Sequence, residues 1–122
     1  MNVGVICEAK YFEEIQKLIK NEGWKIFHIQ TRPEAWLEMK EEDYSLFVVH
    51  TAKFEEKYIQ FLEVLNASFQ DTKVSFFCDP IPQDSLEKIV NQMGIAVFSL
   101  MKDPQSIAFG LKKYFEGQAV FV

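Results

Sequence analysis

The sequence predicts an α/β fold: a three-layer, doubly wound (βα)5 arrangement with a parallel sheet between two layers of helices. Three observations carry this reading. Strand-like and helix-like segments alternate five times along the 122 residues. The connections between them are short, as βα and αβ loops are. Three of the strand segments are apolar without interruption, the pattern of strands covered on both faces.

The first strand is "NVGVIC", Asn2 to Cys7, a continuous apolar run. "FEEIQKLIK" follows with Phe12, Ile15, Leu18 and Ile19 on one helical face. Gly23 ends that helix, and "WKIFHI", Trp24 to Ile29, is the second strand; Lys25 and His28 within it predict an edge position. Pro33 suits the first turn of a helix in "TRPEAWLEMKEED", where Trp36, Leu37 and Met39 supply a modest apolar face. "SLFVV", Ser45 to Val49, is the third strand, central by its unbroken hydrophobicity and leading into His50.

Tyr58, Phe61, Leu62 and Leu65 recur at helical spacing in "FEEKYIQFLEVLNASF". "KVSFFC", Lys73 to Cys78, is strand four. Asp84 or Ser85 is a candidate cap for "SLEKIVNQM", whose Leu86, Ile89, Val90 and Met93 repeat the helical period. Gly94 closes that helix before strand five, "IAVFSL". After "MKDP", Ile107, Leu111, Tyr114 and Phe115 share a face of the last helix. Right-handed crossovers between parallel strands leave few topologies, and a flavodoxin-like order 2-1-3-4-5 is the commonest for five. That order brings strands one, three and four to the centre.

Length and composition set further bounds. The chain is of one-domain size, 1–122, with residues 117–122 read as a tail or a linker toward an effector domain. Hydrophobic residues make up 48% and aromatics 15%, a globular composition. The formal charge is −5, from 13 Lys plus Arg against 18 Asp plus Glu. An acidic chain without a basic run is a poor partner for phosphate backbones, so direct nucleic-acid binding is not expected and a protein partner is. No segment reaches membrane-spanning length, and no charged leader precedes an apolar core. Two cysteines without a CxxC pair suit a reducing cytoplasm. "KEED" and "EEKY" read as solvated helix faces. No strand-to-helix turn carries the glycines that cradle a nucleotide or flavin phosphate, so no cofactor and no enzymatic activity are expected.

With the order 2-1-3-4-5, Cys7, His50 and Cys78 end three adjacent strands on one rim, where α/β proteins place their ligands. Strand and helix lengths throughout, Gly94 before strand five and the aromatic Phe98 within it make the chain resemble the receiver domain of bacterial response regulators, the CheY-like family. The resemblance implies a pocket on that rim: an acidic pair after strand one for Mg²⁺, a phospho-acceptor aspartate after strand three, a Ser or Thr after strand four and a Lys after strand five. Here the acidic pair falls on Cys7 and Glu8, the acceptor on His50 and the Ser/Thr on Cys78. The lysine position falls on Met101, with Lys102 and Pro104 displaced from it. A degenerate pocket of Cys7, Glu8, His50, Cys78 and Lys102, without the acceptor, predicts a receiver that is not phosphorylated by the family mechanism.

The resemblance also implies the role: the N-terminal regulatory module of a signalling or transcription regulator, homodimeric through helix four, strand five and helix five. Phe98, Phe109 and Tyr114 are the candidate residues of that face, although period-3.6 stripes ordinarily face the sheet; Phe109 lies off the stripe and is the best candidate for exposure. The apolar tail Ala119-Val120-Phe121-Val122 would suit a neighbouring subunit. A second reading takes Cys7, His50 and Cys78, with Glu8 as a fourth ligand, as a metal- or redox-responsive site, since thiolates and imidazole suit zinc or copper. A Cys7–Cys78 disulfide is not expected, because strands two apart lie about 9–10 Å from each other, past the ~7 Å that the bridge can span.

Overall fold

The computed structural model describes residues 1–31, 34–99 and 104–115. Five strands, β1 (Asn2–Cys7), β2 (Lys25–Gln30), β3 (Tyr44–His50), β4 (Lys73–Phe77) and β5 (Ala96–Phe98), form one parallel sheet in the order β2-β1-β3-β4-β5. The helices are α1 (Ala9–Ile19), α2 (Ala35–Glu41), α3 (Lys57–Ser68), α4 (Gln83–Glu87) and α5 (Pro104–Phe115). This is the flavodoxin-like, doubly wound fold that the sequence predicts. Arg32, Pro33, Leu100 to Asp103 and the tail from Glu116 lie outside the described residues, and with them the expectations placed on Pro33, Met101, Lys102 and Ala119–Val122.

Alternate side chains of the central strands enter two separate cores. Val3, Val5 and Cys7 of β1 join Leu46 and Val48 of β3, Phe77, Ala96 and Phe98 under α1 and α5, with Ile15, Ile19, Ile107 and Leu111 closing the layer. Ile6, Phe47, Val49, Val74, Phe76 and Cys78 face the other way, against Met39, Leu62, Leu65 and Ile89 of α2, α3 and the helix after β4. Burial on both faces is what an unbroken apolar strand requires. β2 is the partly exposed edge that Lys25 and His28 indicate. Its mixed character is put to use: Phe12 stacks on the His28 ring at 4.5 Å.

Several details depart from the sequence reading. The fourth helix starts earlier than expected, with Pro82 at its cap, so neither Asp84 nor Ser85 caps it: Asp84 sits in the first turn and Ser85 is buried. A first-turn carboxylate still complements the helix dipole. Beyond Glu87 the helix widens into a π-helical turn over Lys88–Gln92, closed by the Met93 amide donating to the Lys88 carbonyl at 3.2 Å. In α2, Ala35 and Met39 are the buried residues while Leu37 is 66% exposed. Gly94, left-handed at φ 69°, follows the end of the fourth helix where the sequence places it, whereas α1 already ends at Ile19 with an extended Lys20, and the left-handed Gly23 (φ 81°) serves the turn into β2 instead.

Gly4 marks the tightest point of the sheet. A Cβ there would meet Ile29 Cδ1 at 3.0 Å and Phe47 Cδ1 at 3.1 Å. Those two side chains belong to β2 and β3, so they close over the β1 backbone from both sides. Gly4→Val is expected to lower unfolding stability by about 2 kcal/mol through overpacking, read as a reduced urea midpoint at unchanged m-value.

Candidate functional site

The candidate site is the rim at the carboxyl ends of β1, β3 and β4. It is built by register. Ile6 pairs with Val49, so Cys7 follows level with His50, and His50 pairs with Phe77, directly before Cys78. The same alternation that builds the two cores divides the three side chains. Cys7 is packed in the α1–α5 layer and Cys78 in the opposite one. His50 shares the strand parity of Leu46 and Val48 and meets Tyr11 of α1, ring to ring, at 4.8 Å. The three ligands that the second reading would need therefore do not converge, and no group of three His, Cys, Asp or Glu side chains among the described residues is arranged to hold a metal ion. Both cysteines are free thiols.

Each group is kept neutral by its surroundings. His50 is only 6% exposed. Burial pushes its imidazole below the ordinary 6.5, against the raising pull of Glu14 and Glu8. Its Nδ1 is buried without a hydrogen-bond partner. Burial lifts the Cys7 thiol to about 11, helped by Glu8, and lifts Cys78 to about 11, helped by Asp79. A buried thiol so far from ionisation is a small apolar group and no nucleophile or redox switch at neutral pH. Glu8 is exposed and forms a loose, solvent-facing ion pair with Lys10 at 3.7 Å, the kind worth little.

A receiver fold implies Mg²⁺ on this rim. The residues present do not fit it. At the ends of β1 and β3 a hard ion bound by oxygen would find a protonated thiol and a neutral imidazole, with the Glu8 carboxylate exposed beside them.

His28, read in the sequence only as a mark of the edge strand, has a structural role as well. Its Nε2 lies 3.0 Å from the Cys7 carbonyl oxygen, which also accepts the Thr31 amide at 3.3 Å. A carbonyl only accepts, so the proton sits on Nε2. The bond ties the edge strand to the rim. Lys102 lies outside the described residues.

The three candidate interaction residues divide as well. Phe98 is fully buried and stacks on Phe77 at 4.9 Å, so it cannot contribute exposed surface. Tyr114 also turns inward: its hydroxyl donates to the Val74 carbonyl at 2.7 Å, with the Gly94 carbonyl 3.1 Å away. Both obey the ordinary rule that helical stripes and alternate strand residues face the core. Phe109 stands out at 62% exposure, with the Lys113 ammonium 5.3 Å from its ring centre.

No protein-family model matches the chain, and no curated protein matches it. Solved structures do. The RcsB response regulator of Salmonella typhimurium superposes with a TM-score of 0.77 at 14% identity, over all of this chain and 63% of that one. A LuxR family DNA-binding response regulator from Silicibacter pomeroyi gives 0.75 at 16% identity, over 100% and 98% of the two chains. A CheY-like response regulator receiver domain protein from Methanospirillum hungatei gives 0.75 at 13%, over 97% and 96%. The chain has the fold of response-regulator receiver domains, and it spans just under two thirds of the Salmonella regulator's length.

Because His50 is held neutral in the fold but titrates near its ordinary value when unfolded, the unfolded chain binds more protons below about pH 6.5. The stability this group contributes is complete above that pH and falls as the pH drops toward the lowered folded value. Urea unfolding from about pH 7.5 to about pH 5.5 should therefore show a steeper loss for the wild type than for His50→Phe, and the His50 ring proton signals should titrate below those of a free imidazole.

Proposed function

We propose that this chain is a receiver-like signalling domain that acts by protein–protein contact without aspartyl phosphorylation. The observation that carries the reading is a buried imidazole, His50, at the strand end where the family's chemistry needs a carboxylate nucleophile. Phosphoryl transfer from a small donor also needs cations to neutralise the developing charge. Cys7 in place of an acid and Cys78 in place of a hydroxyl remove two further parts of that machinery.

On this reading the chain is a cytoplasmic regulatory module without enzymatic activity or cofactor, placed N-terminal to an effector in a bacterial signalling or transcription regulator. The DNA-binding response regulators with which it shares its fold support the module role. Its own acidic charge leaves contact with nucleic acid to another part of such a protein. A homodimer through α4, β5 and α5 would use Phe109 as its apolar contact, since that ring is exposed on α5.

The test of the first claim is incubation with acetyl phosphate and Mg²⁺, read by intact mass. The expected result is an unmodified chain, and a stable phosphorylated species would defeat the proposal. For the second claim, sedimentation equilibrium should show a reversible dimer that Phe109→Glu weakens at least about tenfold, the scale of losing a central apolar contact.

A further inference from the structure

The fourth helix carries a stripe, Leu86, Ile89, Val90 and Met93, that regular helical spacing would turn as a unit onto the sheet. The π turn over Lys88–Gln92 disturbs that phase. Ile89 is buried and Met93 packs on the core, but Leu86 and Val90 are half-buried and enter neither core cluster. Instead they line a cavity of about 360 Å³ between this helix and the edge strand β5. Ile81 and Val97 add to the apolar lining. π turns of this kind are frequent where helices form functional sites.

Among the described residues that line the cavity, the charged ones are Asp79 and Glu87, both acidic. Asp79 accepts the Ser99 hydroxyl at 3.1 Å and Glu87 accepts the Gln83 amide at 3.3 Å. Both partners are neutral, and no ion pair among the described residues uses either carboxylate. Two carboxylates without an ion pair among the described residues, set over an aliphatic lining, repel anions and favour an ammonium whose apolar part can leave water. The volume lies at the small end of ligand sites, roughly 300–1,000 Å³, which suits one ring or a short chain.

We propose that the cavity between α4 and β5 binds a small organic cation: an apolar group of about one ring's size joined to a primary ammonium. The apolar group would lie against Leu86, Val90 and Val97, and the ammonium between Asp79 and Glu87. Neither feature depends on the phosphorylation chemistry of the rim, so this proposal stands or falls apart from the proposed function.

The experiment titrates the isotope-labelled chain with phenethylammonium, with 2-phenylethanol as the neutral isostere and 3-phenylpropionate as the anionic one, followed by amide chemical shifts. The cation should give saturable shifts at Cys78, Leu86, Val90, Val97 and Ser99. The alcohol should bind about tenfold more weakly and the carboxylate not at all. The double variant Asp79→Asn, Glu87→Gln should bring the cation's affinity down to that of the alcohol, with a dispersed spectrum reporting an intact fold. Non-saturable shifts, shifts centred elsewhere, or equal affinity for all three charges would overturn the proposal. If the double variant does not fold, the comparison of the three isosteres on the wild type decides the matter alone.

Discussion

The arrangement of this molecule depends on the pleat of strands that are buried on both sides. Each successive residue of β1, β3 and β4 is committed to one helical layer or the other, and a slip of one position would send a whole strand's apolar set to the wrong side. The constraint reaches the rim. Cys7 and His50 end on one side and Cys78 on the other because Val5 and Val48 precede the first two and Phe76 the third. Three residues that are neighbours along a rim are thus not neighbours in chemistry. Sequence position alone can bring strand ends together; only parity decides which side chains meet.

That distinction explains what could be read in advance. The strand order followed from five alternations, short connections and right-handed crossovers, and the edge position of β2 from Lys25 and His28. Most of the helical stripes did face the sheet, as Ile15, Leu65 and Leu111 illustrate. The inward placement of Phe98 and Tyr114 follows the same rule. Two features carried no signal. Nothing in "KIVNQ" marks a π turn, since no glycine or proline interrupts it, and so the half-buried placement of Leu86 and Val90 outside both cores was hidden. The tie from His28 to the Cys7 carbonyl joins residues on different strands, which local pattern cannot reveal. The candidate rim was legible as positions and residue types, but not as orientations.

The rim is also notable for what its electrostatics do not require. Clustered carboxylates repel one another and call for a cation to hold them together. Here two protonated thiols and a neutral imidazole occupy the positions, and burial reinforces the neutral state of each. The remaining polar mismatch is small and local: one ring nitrogen of His50 without a partner, beside a tyrosine ring. The buried hydroxyl of Ser75, by contrast, is satisfied by the Phe47 carbonyl at 3.1 Å.

The close approach over Gly4 has a wider meaning for how this chain can vary. Ile29 and Phe47 belong to strands that never pair, yet both press on the vacancy that the missing side chain leaves on the strand between them. Residues 4, 29 and 47 thus make up a single steric unit drawn from three separate stretches of chain. Drift at one of them is open only in step with the others: a methyl group gained at the first has to be matched by volume given up at the second or third. Such a triplet would surface among relatives as correlated exchange, linking the edge strand to the sheet's centre across a backbone that neither side chain belongs to.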